Sequence, residues 1–142
     1  MHYGQGVTTL AAFLTHSSNN AAHPANGLAA LYLATGQDIA NIGESNQCTT
    51  YNYVTRNGDY HFSVTLPALI VASYGGGTNL PTQRECLKIM DCHGPGKALK
   101  LAEIAAGLVV AGELSLGAAT RVDKETRKNE WVDAHERLGR NR

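Results

Sequence analysis

Two stretches of this chain have a helical composition and are apolar almost all the way round. Residues 25–36, "ANGLAALYLATG", contain no charged side chain. Residues 97–120, "KALKLAEIAAGLVVAGELSLGAAT", carry two lysines near their start and then only Glu103 and Glu113. A surface helix shows one apolar stripe and one polar face, so a helix apolar on most sides belongs in an interior. A chain with two such helices needs a core built around them. Pro24 suits a first helical turn, where a missing N–H costs nothing. The polar run "SSNNAAHPAN" offers side chains that cap a helix start, and Gly36 is a left-handed stop. Together these predict one helix to about Thr35 and a second from about Ala98 to Thr120. Gly107, Gly112 and Gly117 each cost the second helix roughly 1 kcal/mol relative to alanine, which fits close helix packing. Ten residues separate Glu103 from Glu113, placing them about 80° apart around the axis.

The segment between the helices has a different character. "CTTYNYVTRNGDYHFSVTLPALIVASY" is rich in Val, Thr, Tyr and Phe with partial alternation. Asn57-Gly58 between two such runs is a hairpin signal. Strands are expected near 48–55 and 59–66, with Pro67 ending the second and a third extended stretch at 69–73. Helical spacing resumes at Thr82, with Cys86, Ile89 and Met90 on one side, and "CHGPG" at 92–96 is a turn cluster. The first 17 residues hold a short strand or helix fragment. The expected class is α+β: a buried helix, a β-hairpin plus a third strand, and a long C-terminal helix.

Composition narrows the function. At 142 residues and 43% hydrophobic, the chain is one domain with enough apolar mass for a core. Half of its charge lies in residues 121–142, read as a charged helical tail. The net charge is zero, so no electrostatic case for nucleic acid exists. Three cysteines, Cys48, Cys86 and Cys92, without regular spacing argue for a reducing, cytoplasmic setting rather than a disulfide framework. No run of 18 or more apolar residues occurs, so no membrane segment is expected. Cys86, Cys92 and His93 do not match common zinc spacings, and no metal is expected.

Taken singly, the polar residues have plain structural readings. Asp38 after Gly36 caps the next helix, "DIANIGESNQ". His23 and Asn26 share a helix face near its start. "GGGT" at 75–78 lacks the lysine of a phosphate loop and the spacing of a dinucleotide fingerprint. His135 sits in the charged tail.

In combination they carry more. "HPAN", "ATGQDIAN", "SVTLPALIVASYGGGTNLPTQRECL", "AGELSL" and "HERLGRNR" occur in this order. Together they resemble the C-terminal part of the catalytic domain of 3-hydroxy-3-methylglutaryl-CoA reductase, from about Ser17 to Arg142, most like bacterial soluble members of the class-I type. The resemblance implies a part of that enzyme's large, substrate-binding domain, spanning residues 1–142 without the small cofactor-binding domain. It implies reduction of hydroxymethylglutaryl-CoA to mevalonate and CoA by two hydride transfers from NADPH, with NADH possible. By resemblance Asp38 is catalytic, the hub of a network with a lysine and a glutamate that manages protons on the reducing carbonyl. His135 matches the acid that protonates the departing CoA thiolate. His23, Asn26, Ser115 and Leu116 match residues lining the substrate pocket. Gly75, Gly76 and Gly77 match a glycine turn beside the nicotinamide, and Asn141 and Arg142 match residues that close over the cofactor. The family's active site lies between subunits, so a homo-oligomer, or pairing with the upstream half of a split enzyme, is implied.

The departures are equally specific. Ala72 and Tyr74 replace glycine and an aliphatic residue before the glycine turn, and Tyr74 is bulky enough to crowd it. The run "TRVDKETRKNE" looks like an insertion before the His135 segment. The family's catalytic glutamate and its lysine have no match here: Ala22 stands where class-II members carry the lysine, and Lys97 and Lys100 have the wrong context. The chain alone is therefore expected to be inactive. The alternative is a non-catalytic oligomerising or CoA-ligand-binding protein derived from this reductase.

Overall fold

The computed structural model describes residues 19–120, together with Ala12, Leu14, Ser17 and Arg137. The elements run in the order helix α1 (Pro24–Thr35), a 3-10 turn (Ile39–Asn41), short helix α2 (Ile42–Ser45), strands β1 (Thr49–Val54) and β2 (Tyr60–Thr65), a second 3-10 turn (Gly76–Asn79), helix α3 (Pro81–Ile89) and helix α4 (Ala98–Ala119). This is an α+β arrangement with α1 at its centre, packed against both α3 and α4.

Helix α1 buries Leu28, Leu31, Tyr32 and Thr35 at its i, i+3, i+4 and i+7 positions. They meet Ala105 and Val109 of α4 and Cys48 at the start of the hairpin. Along α4, Leu101, Ala105 and Val109 form one stripe spaced four residues apart. Only one face of each helix is covered among the described residues. Leu33 is 66% exposed and Leu99 is 81% exposed, so full burial of both helices is not what this chain achieves. By length and composition α4 could cross a bilayer. Its packing on α1 and the hydrogen bonds of Glu113 are those of a helix docked on protein.

The start of α1 is held from far away in sequence, its end locally. No local side chain caps its start, and no acid lies in its first turn. Instead Glu113 Oε1, on α4, accepts from the backbone N–H groups of Ala22 at 2.7 Å and His23 at 2.5 Å. A negative charge there also meets the positive end of the helix dipole. Of the nearby asparagines, expected as caps, Asn19 donates to Asn46 O at 3.2 Å and Asn20 serves the hairpin. Asn20 Nδ2 donates to Thr50 O at 3.2 Å, and its Oδ1 accepts from Thr50 N–H at 2.7 Å. At the other end Gly36 is left-handed (φ 68°) and its N–H donates to Tyr32 O. A Cβ on Gly36 would overlap the Gly77 carbonyl, and one on Gly77 would come within 2.6 Å of Gly36 O. The two backbones touch, and only glycine at both positions allows it.

The hairpin pairs β1 with β2 antiparallel, from Thr49 opposite Thr65 to Val54 opposite Tyr60. Asn57-Gly58 lies in the loop, where Gly58 has φ 90° and Thr55 N–H donates to Asp59 O at 2.8 Å. The expected third strand is not formed: the described sheet has two strands. The 69–73 stretch finds side-chain partners rather than a ladder. Tyr32 OH donates to Ile70 O, Ile70 N–H donates to Ser45 Oγ at 3.0 Å, and Ala72 exchanges two bonds with the Gln37 amide at 2.6 and 2.9 Å. Polar side chains, rather than a neighbouring strand, satisfy these backbone groups.

A second small cluster joins Leu87, Cys92 and Leu101, linked to the first through Val71 and Met90. The inward position of α3 is Leu87, with Cys86 and Met90 half-buried, and Ile89 points out at 85% exposure. The expected grouping of Ile89 with Cys86 and Met90 therefore does not hold. After α3, Asp91 turns the chain with φ 52°. Hydrogen bonds from Lys97 and then Lys100 hold its carboxyl down at about 2.

Two outcomes are expected. Gly36→Ala should destabilise the chain by at least about 2 kcal/mol, combining a left-handed alanine with a backbone overlap. Gly58→Ala, also at positive φ but in open space, should cost less, and urea melts of both compare them. Burial first, and then the nearby Glu113 carboxylate, push the Cys48 thiol up from 9.0 to about 11 against a lowering backbone hydrogen bond at Thr65. The folded state holds this proton longer than the unfolded state, so stability should fall as pH rises from 9.0 to about 11. Cys48→Ala should flatten that part of the stability profile.

Candidate active site

The turn after α1 and the glycine turn before α3 face each other across an open cleft of about 570 Å³. Asp38 and Gln37 line one side, Gly75, Gly76 and Gly77 the other, with Tyr32 and Tyr74 at the walls. The Gly36–Gly77 contact holds the two sides together. Thr78 steadies the glycine turn, its N–H and Oγ1 both donating to Gly75 O at 3.2 and 2.6 Å.

Within this chain Asp38 has the plain structural role that its position suggests. Its Oδ1 accepts from Ala40 N–H at 3.0 Å and caps the 3-10 turn. The side chain is exposed, and among the described residues no lysine or arginine pairs with it. Lys97 and Lys100 are bound to Asp91 at 2.5 and 3.0 Å.

His23 and Asn26 lie at the opposite end of α1. The helix has 12 residues, so at 1.5 Å per residue roughly 18 Å of axis separates His23, and about 14 Å separates Asn26, from the end that carries the Asp38 turn. The His23 ring is wedged against α4, where a Cβ on Gly112 would overlap it. Ser115 and Leu116 follow Gly112 by three and four residues and so share that face of α4. Asn26 and Ser115 are exposed, while His23 and Leu116 are half-buried. The structure thus brings Asp38 to Gly75–Gly77, and His23 to the α4 face holding Ser115 and Leu116, but it keeps the two groups apart. His135, Asn141 and Arg142 lie outside the described residues, as does the 121–142 tail apart from Arg137.

Two residues with structural weight here have no role in the motif reading. Glu113 fixes the start of α1, and its signal is a lone acid within an apolar helix facing a helix start that lacks one. Gln37 pairs with Ala72 on both sides of its amide, and nothing in its spacing signals that. Among the described residues, no three His, Cys, Asp or Glu side chains are grouped for a metal.

The sequence profile of hydroxymethylglutaryl-coenzyme A reductase matches residues 3–140. The chain belongs to the hydroxymethylglutaryl-coenzyme A reductase family. It is 48% identical over 131 residues to the 3-hydroxy-3-methylglutaryl-coenzyme A reductase of Aeropyrum pernix, covering 89% of this chain and 29% of that protein. It is 44% identical over 127 residues to the reductase of Methanocaldococcus jannaschii, covering 89% of this chain and 30% of that protein. Against reductase 1 of Arabidopsis thaliana it is 46% identical over 105 residues, covering 69% of this chain and 18% of that protein. The chain therefore spans less than a third of the length of these reductases.

Because Asp38 is exposed and bonds one amide that asparagine also satisfies, Asp38→Asn should leave stability within about 0.5 kcal/mol of the parent chain. Thermal melts at neutral pH check this. A larger loss would mean the carboxylate carries structural load.

Proposed function

We propose that this chain supplies the Asp38 side of a reductase active site that converts hydroxymethylglutaryl-CoA to mevalonate and CoA. The observation supporting this reading is that Asp38 and the glycine turn, far apart in sequence, line one cleft. Asp38 handles the proton at the substrate carbonyl oxygen. The helix holds His23 and Asp38 at opposite ends, so in the assembly His23, Asn26, Ser115 and Leu116 of one copy hold the hydroxymethylglutaryl group on which Asp38 of another copy acts, and His135 protonates the leaving thiolate, a task suited to an imidazole near neutral pH.

The cofactor is NADPH, with NADH as the possible substitute. Supporting this reading, a Cβ at Gly75 or Gly76 would meet open space, which leaves room for a flat ring at that backbone. Among the described residues lining the cleft there is no lysine or arginine, so the cofactor phosphates need another partner. Asn141 and Arg142 fill that role, the guanidinium being suited to phosphate. When bound, the reduced nicotinamide supplies hydride. Tyr74, 62% exposed at the cleft wall, limits how closely the ring seats.

The chain works as one part of a cytoplasmic assembly. Among the described residues its cleft holds no cation for an oxyanion, and such electrostatic stabilisation is often the largest catalytic effect. The lysine and glutamate that complete the site come from a segment outside this chain. The uncovered apolar faces, with Ile89 85% and Leu99 81% exposed, support association with that segment or with further copies.

Mevalonate formation tests the reading. The 142-residue chain alone should form none. Mixed with the separately produced remainder of a relative such as the Aeropyrum pernix reductase, it should turn over. Asp38→Asn in that mixture should lower kcat by about 10²–10⁴-fold. Turnover by the chain alone refutes the shared site, and an active Asp38→Asn mixture refutes the role of Asp38.

A further inference from the structure

His23 is placed by α4 rather than by its own helix. Its backbone N–H and that of Ala22 are both held by Glu113 Oε1. Its ring lies over Gly112, where a methyl group would overlap Nδ1, Cε1 and Cγ. On the other side a Cβ on Gly27 would come within 2.6 Å of Cε1. The imidazole thus occupies a slot between two helices made by one glycine from each. Within the slot Nδ1 is buried and makes no hydrogen bond. Of the two ring nitrogens, Nε2 is the one left to bond a ligand.

We propose that Glu113 and Gly112 are positioning residues for His23. Glu113 fixes its backbone, Gly112 opens the space for its ring, and together they leave Nε2 as the nitrogen offered to an oxygen of the bound acyl group. The meaning of this for catalysis rests on the reading of His23 as a substrate-pocket residue. The placement itself is a property of this chain. Charge-assisted bonds such as those from Ala22 and His23 are about twice as strong as neutral ones. Replacing the carboxylate by an amide therefore loosens the backbone without removing the acceptor. Replacing Gly112 by alanine displaces the ring and leaves both backbone bonds in place.

Isotope-labelled 142-residue chain, observed by NMR, separates the two parts. In Glu113→Gln the amide protons of Ala22 and His23 should move upfield and the His23 ring resonances should shift. In Gly112→Ala the ring resonances should shift while the two amides stay near their parent positions. His61, a ring on the exposed hairpin, is the internal reference and should stay fixed in both. Ring signals of His23 that move no more than those of His61 in either variant overturn the proposal. Should Gly112→Ala fail to fold, Glu113→Gln alone decides it. In the complemented enzyme, Glu113→Gln should raise KM for hydroxymethylglutaryl-CoA about tenfold while kcat changes less, as for misplacement of a binding group. A complemented parent enzyme without turnover counts against the proposed function, whereas an active parent with unchanged KM in Glu113→Gln counts against the positioning role.

Discussion

A helix packed into a core needs partners for its terminal amides and carbonyls; the start of α1 is met by a group remote in sequence, and its end by its own Gly36. Its start is closed by Glu113, about ninety residues away. Its end is closed by the left-handed Gly36, which rests on the backbone of Gly77. These two closures decide most of the remaining arrangement. The first fixes α4 against the beginning of α1, and so sets the face on which His23, Ser115 and Leu116 lie. The second fixes the glycine turn against the end of α1, and so makes the Asp38 cleft. Both halves of the candidate site are consequences of how one helix is terminated.

The elements with strong local signals were legible in the sequence. Pro24 and Gly36 bracket α1, Asn57-Gly58 marks the hairpin, and the apolar run from Ala98 gives α4; the structure places all three within a residue or two of expectation. What was not legible depends on contacts between distant segments. The 69–73 stretch is rich in β-forming residues, yet its backbone bonds go to Tyr32, Gln37 and Ser45, so no strand forms. Glu113 reads as an unexplained acid until the start of α1 is beside it. In α3 the spacing pointed to Ile89, but the direction of the core is set by where α1 and α4 lie, and Leu87 faces it.

The apolar surplus belongs to the same account. Each of α1 and α4 covers one face inside the chain and leaves apolar side chains outside. Leu33 on α1 and Leu99 on α4 are the most open of these. On the proposed function, these faces are where the rest of the reductase packs. That also explains how His23 and Asp38, at opposite ends of a 12-residue helix, serve different partners.

On the proposed function, Asp38 is where the partner's contribution is felt. A carboxylate open to water and a cation 4 Å away attract by about 1 kcal/mol, and by about 4 kcal/mol when the effective dielectric falls to that of a protein surface. In this chain Asp38 is exposed and capping a turn. Its backbone anchor is firm, because the Gly36–Gly77 contact on one side and Ala40 N–H on the other hold it. Neither desolvation nor a cation comes to it from the described residues lining its cleft. On the proposed function, an arriving segment that supplies a lysine also excludes water. The same event strengthens the carboxylate–cation interaction and shields hydride transfer from solvent. A positioned but solvated acid is then the expected state of Asp38 before the site is completed, rather than a defect of the chain.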